Sequence, residues 1–159
     1  MSGFSIRGID PAPFVPLYGL SDSALREHRA LRMMVDASPG FPCRVSLEDA
    51  AVGETVLLLN YEHQPVDTPY RARHAIFVRE GEAQAAHYAD RVPKQLAIRL
   101  LSLRAFDAAG MMRDADVVEG SDLTAAIDRF FADPGIAYLH AHNAKPGCFA
   151  ARIDRGLAA

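Results

Sequence analysis

Leu123, Ala126, Ile127, Phe130 and Phe131 recur at intervals of three and four residues, which places them on one side of a 3.6-residue helix and predicts an amphipathic helix lying on a core. Ser121 reads as its cap and Asp133-Pro-Gly135 as its end. A second helix is expected after the proline-rich connector containing Pro11, Pro13 and Pro16. There Ser21 can cap, Asp22 suits the positive end of the dipole, and Leu20 and Leu25 have the spacing of a hydrophobic staple. This helix should end before Leu31.

Elsewhere the dominant period is two. Phe4 to Ile9 alternates like a short strand, and Leu31, Met33 and Val35 alternate with Arg32, Met34 and Asp36, as in a strand with one buried face. Ser46-Leu-Glu-Asp49 has the form of a cap before one short helical turn. Thr55 to Tyr61 is apolar on both parities, which predicts a central strand, and His74 to Arg79 is the next one. Leu96 to Phe106 fits either a helix or a strand. It is assigned as a strand because Asp107-Ala-Ala-Gly110 and the alternation of Met111, Ala115 and Val117 resemble the turn and far half of a hairpin. Ile136 to Asn143 and Cys148 to Arg155 form a last hairpin. The expectation is a single α+β domain over residues 1–159, with a mostly antiparallel sheet and two main helices on one face, a single pair of layers.

In the last hairpin Leu139 and Ala141 share one face, and Tyr138, His140 and His142 share the other. Keeping Phe149, Ala151 and Ile153 with the core predicts a register in which Ala141 faces Phe149, Leu139 faces Ala151, Tyr138 lies beside Arg152, and His142 faces Cys148. Both His142 and Cys148 would then lie on the side opposite Phe149.

That register would make Cys148 a nucleophile activated by His142, with His140 beside it and Asn143 or a more distant group orienting the imidazole. The plainer alternative is a buried cysteine next to an ordinary half-exposed histidine. Histidines at i and i+2 on one strand face also suit a divalent metal ion, with Cys148, Cys43 or His63 completing the shell. The rigid turn Pro39-Gly-Phe-Pro-Cys-Arg44 presents Cys43 and Arg44. Glu62, His63, Tyr70 and Arg71 would flank the same end of the sheet. Together Cys43, Arg44, His63, Tyr70, Arg71 and Asn143 form the expected binding set.

Composition narrows the partners. Of 159 residues half are hydrophobic and 23% charged, which suits a packed core and argues against disorder. The formal charge of −3 offers no global attraction to nucleic acid; the arginines that gather at Arg71, Arg73 and Arg79 read first as a solvated face and, in the alternative, as a site for a small anionic molecule. The amino-terminal stretch lacks the apolar centre of a signal peptide, and no apolar run is long enough to span a membrane. With only two cysteines, Cys43 and Cys148, unpaired thiols in the cytoplasm are expected. A non-catalytic alternative uses the polar hairpin face for homodimerisation.

Pro39-Gly-Phe-Pro-Cys-Arg-Val-Ser-Leu47, Leu58-Leu-Asn-Tyr61, Pro69-Tyr-Arg-Ala72, Ile76-Phe-Val-Arg-Glu80, Leu103-Arg-Ala-Phe-Asp107, His142-Asn-Ala144 and Gly147-Cys-Phe149 occur together. In this combination, over nearly its full length, the chain resembles the bacterial family catalogued as domain of unknown function 1203. The resemblance implies a one-domain bacterial protein and brings no activity or cofactor with it.

Overall fold

The apolar stripe near the carboxyl end forms helix α3, Leu123–Phe131, with all five stripe residues buried. In the computed structural model, which describes residues 3–156, this helix lies on a six-stranded sheet. The strands are β1 (Phe4–Arg7), β2 (Leu31–Met34), β3 (Thr55–Gln64), β4 (Ala72–Arg79), β5 (His87–Ala89), β6 (Leu100–Phe106), β7 (Met112–Glu119), β8 (Tyr138–Asn143) and β9 (Phe149–Arg155). Two shorter helices are α1 (Asp22–Glu27) and α2 (Lys94–Ala97). The fold is α+β, and every pairing between these strands is antiparallel.

The strands divide into two sheets, ordered β5-β1-β9-β8-β6-β7 and β2-β3-β4. One face of the large sheet carries Ile6, Leu101, Leu103, Ala105, Leu139, Ala141, Ala151 and Ile153, which pack with Leu123, Ile127 and Phe130 of α3. A second core gathers Leu57, Leu59, Ile76 and Val78 of the small sheet with Leu25 of α1 and with Phe149 from the large sheet. Helix α1 therefore packs on the small sheet while α3 packs on the large one. The apolar run of β3 is explained by burial on both sides: Leu57 and Leu59 enter that second core, and Val56 packs with Val35, Cys43 and Ala50 in a third.

Several local expectations are met. Ser21 caps α1, its hydroxyl accepting from the Ala24 amide at 3.2 Å, and β3 is central in its sheet. Others shift. Residues Lys94–Ala97 form a helical turn before β6, so the mixed signal at 96–106 is a helix followed by a strand. Ser121 lies in a turn of 3-10 helix, Gly120–Asp122, that carries the chain into α3, and no side chain caps that helix. Strand β2 is an edge with Leu31 52% exposed, so its alternation does not mark a fully buried face. No helical turn follows Ser46-Leu-Glu-Asp49; the chain reaches β3 through a turn at residues 52–53.

No helix among the described residues is long and apolar enough to cross a membrane.

Candidate functional site

Strands β8 and β9 pair with Tyr138 opposite Asp154, Leu139 opposite Ile153, His140 opposite Arg152 and Ala141 opposite Ala151. The register then shifts, and His142 faces Phe149. Ala150 is the extra residue of a β-bulge, buried beside Ala151 in the helix-side core. The expected pairing of His142 with Cys148 is thereby corrected. A bulge inverts the side-chain alternation beyond it, so Phe149 turns away from α3 and packs against the histidines; Cys148 instead meets Asn143, whose amide donates to the Cys148 carbonyl at 2.9 Å.

The same face holds an aromatic cluster. The ring of His63 stacks on Phe149 at 4.9 Å between centroids, and His140 and His142 meet Phe149 edge-on at 5.1 and 5.8 Å. His63 reaches this point from the end of β3, while His140 and His142 come from alternate positions of β8. Ring nitrogens, one from each of the three, lie within 4.8 Å of one another. All three histidines are buried, and burial pushes their pKa values down, to about 4 for His63, about 2 for His140 and about 3 for His142. Near neutral pH they are uncharged. His142 Nδ1 lies 3.1 Å from the Gly147 carbonyl; a carbonyl only accepts, so this nitrogen carries the proton and Nε2 keeps its lone pair. His63 Nδ1, His140 Nδ1 and His142 Nε2 are buried without a hydrogen-bond partner. His63 Nε2 lies 2.7 Å from His74 Nδ1 on β4.

The second arrangement centres on Arg44, which is 1% exposed. Its guanidinium donates to the Phe149 carbonyl at 2.8 Å, to the Pro42 carbonyl, and through Nη2 to Cys148 Sγ at 3.0 Å. No carboxylate pairs with it within 4.0 Å among the described residues. Asn143 Nδ2 also approaches Cys148 Sγ, at 3.7 Å, and Asn143 Oδ1 is buried without a partner. The Arg44 backbone is held from both sides, its amide donating to Phe77 and its carbonyl accepting from Ile9, each at 3.0 Å. Gly8 permits this close approach, because a Cβ there would stand 1.8 Å from the Val45 carbonyl oxygen.

Arg44, Asn143 and Cys148 line a cleft of about 970 Å³ together with Pro42, His74 and Lys145. The cleft thus joins the proline-rich turn to the β8–β9 connection, and His74 links it to the three histidines. Neither Tyr70 nor Arg71 lines it. Tyr70 packs edge-on to Phe106, and Arg71 pairs with Glu62 at the surface. Cys43 is fully buried in the small core, its thiol pushed up to about 12 chiefly by burial, so it is a packing residue and not a partner of Cys148. Neither cysteine is in a disulfide. All six residues of β8 are buried, so Tyr138, His140 and His142 face the interior of the chain, while Arg152 of β9, opposite His140, is exposed. His74 and Arg104, the latter opposite His140 on β6, lie outside the expected set; His74 sits on a predicted strand, but a single histidine there carries no signal by itself.

No curated protein and no solved structure matches the chain. A family described as a protein of unknown function, DUF1203, matches residues 40–155, a span that contains Arg44, all three clustered histidines, Asn143 and Cys148. With well over half its length matched, this chain belongs to the DUF1203 family.

Proposed function

We propose that the cleft binds a small anionic molecule and presents the Cys148 thiol to it. The observation that carries this reading is Arg44, a guanidinium buried without a carboxylate partner among the described residues, whose Nη2 donates to Cys148 Sγ. A buried cation is costly unless neutralised. Negative charge on a ligand at the cleft beside the sulfur supplies the missing counter-charge. Lys145 in the same lining adds to the attraction for an anion, while among the described residues Glu119 is the only acidic one that lines it. The orphaned Asn143 Oδ1 offers an acceptor for a ligand donor. Two thiols without a disulfide suit a reducing compartment, so a cytoplasmic site belongs to the same reading.

Alkylation with paired reagents tests it. Iodoacetate is an anion and iodoacetamide is its neutral counterpart, so the ratio of their rates at Cys148, compared with a free thiol, reads the local field. The expected result is a ratio shifted toward iodoacetate and protection by inorganic phosphate or a short dicarboxylate. A Cys148 that discriminates against iodoacetate, or reacts with neither reagent, overturns the proposal.

A further inference from the structure

We propose that His63, His140 and His142 hold a divalent transition-metal ion of the zinc type, with three neutral imidazoles as ligands and a fourth position left for a small anion. The site is separate from the thiol and does not depend on the reading of Cys148.

Three observations converge on it. The first is the donor set: ring nitrogens from all three residues already lie within 4.8 Å of one another. Nitrogens sharing a tetrahedral zinc at bond lengths of ~2.05 Å stand about 3.4 Å apart, so each ring needs to move by less than an ångström. The second is the set of orphaned atoms. His63 Nδ1, His140 Nδ1 and His142 Nε2 are buried polar atoms without partners, and a buried polar atom left unsatisfied is costly, a cost that one shared cation would relieve at all three. The third is the outer hydrogen bonding. His142 Nδ1–H donates to the Gly147 carbonyl, which fixes the tautomer that frees Nε2. If His63 Nδ1 binds the ion, its Nε2–H donates to His74 Nδ1 across 2.7 Å. Metal-bound histidines characteristically have the second nitrogen held in this way.

The neutral state of the rings, imposed by burial, is the state a metal ligand requires. Phe149 closes one side of the cluster, stacked on His63. The neighbours also constrain the fourth ligand. His140 is flanked in the sheet by Arg104 on β6 and Arg152 on β9. Arg152 is paired with Asp154, whereas Arg104 has no carboxylate within 4.0 Å among the described residues. A dication beside that arginine favours an anion, such as hydroxide or a carboxylate, in the remaining position.

The test uses the full chain stripped with a chelator and titrated with Co(II) and Zn(II). The expected result is one ion per chain, a visible Co(II) absorption of tetrahedral intensity displaced by Zn(II), and a change in that spectrum on adding azide. H142A and H63A should lose the spectrum, and H74A, as a positioning change, should weaken binding about 10- to 100-fold while keeping the spectral shape. Because these rings are buried, nitrogen-15 shifts of the wild-type imidazoles give a reading free of any substitution. Zinc should move one nitrogen of each of the three histidines and leave His28 and His87 unchanged. Failure of the wild-type chain to take up one ion, or zinc-induced shifts confined to His28 or His87, overturns the proposal.

Discussion

Arg44 and Cys148, 104 residues apart in the chain, meet through a guanidinium-to-sulfur hydrogen bond of 3.0 Å. Two other donors of Arg44 go to main-chain carbonyls, so Cys148 is its only side-chain partner among the described residues. Cys148→Ala should therefore destabilise the fold by about 1.5 to 3 kcal/mol, the usual cost of a hydrogen bond to a charged group. Cys148→Ser, which keeps an acceptor, should lose less. Urea midpoints of the two variants check this; equal stability for Cys148→Ala and the parent chain would show that the sulfur is not needed to balance Arg44.

Cys43 should behave in the opposite way from Cys148 toward reagents. It is fully buried and its thiol is pushed up to about 12, so thiolate is scarce at neutral pH and the sulfur is shielded. Native protein should be modified at Cys148 alone, with Cys43 labelled only at denaturant concentrations that open the small core. Peptide mapping after timed labelling decides it.

Glu80 gives a pH dependence with a definite sign. Its carboxyl is held at about 2, first by hydrogen bonding to Arg32, with distances of 2.6 and 3.0 Å. A depressed folded pKa contributes stability above the unfolded value, near 4.5, which is lost as pH falls toward about 2. The stability difference between the parent chain and Glu80→Gln should be greatest above that upper value and should close as pH approaches the lower one. A difference that stays constant through the interval would rule out the ion pair as its source.

Phe130 is 3% exposed in the core beneath α3, so Phe130→Ala should cost about 3 to 5 kcal/mol. Thermal or urea unfolding measures it, and a loss below ~1 kcal/mol would mean the surrounding core collapses into the space.

Gly8→Ala should damage the cleft from a distance. The added Cβ would meet the Val45 carbonyl at 1.8 Å, so the backbone of Arg44 and Val45 must move, and the alignment of Arg44 on Cys148 moves with it. The expected outcome is lower stability together with altered alkylation at Cys148. Unchanged thiol reactivity in a destabilised variant would separate the two effects.

The elements that were legible in the sequence are those with an unambiguous period: the stripe of α3, the aliphatic run of β3 and the existence of the last hairpin. The register of that hairpin was not. Ala150 and Ala151 are both small and apolar, so either fits a core face, and nothing in the composition shows which is the extra residue. The histidine pair of β8 was visible as a same-face pair, and His63 as a group able to join it. Their convergence depends on the small sheet packing across the large one, which periodicity does not encode. Arg44 was visible as a residue of a rigid turn. Its complete burial was not, because an arginine is ordinarily found at the surface.

The bulge at Ala150 makes the last hairpin a strand pair read in two frames. From Ala151 onward the side chains follow one phase; from Phe149 back into the turn they follow the other. Phe149 and Ala151 stand two apart and would share a face in plain alternation; they hold opposite faces only because the bulge lies between them. Removing Ala150 would make them neighbours of regular alternation, with Ala151 still toward α3 and Phe149 still opposite His142. Forcing both alanines into plain pairing would instead carry Phe149 to the helix side. Loss of one alanine is therefore absorbed by loss of the bulge, whereas loss of the bulge with both alanines kept dismantles the aromatic face.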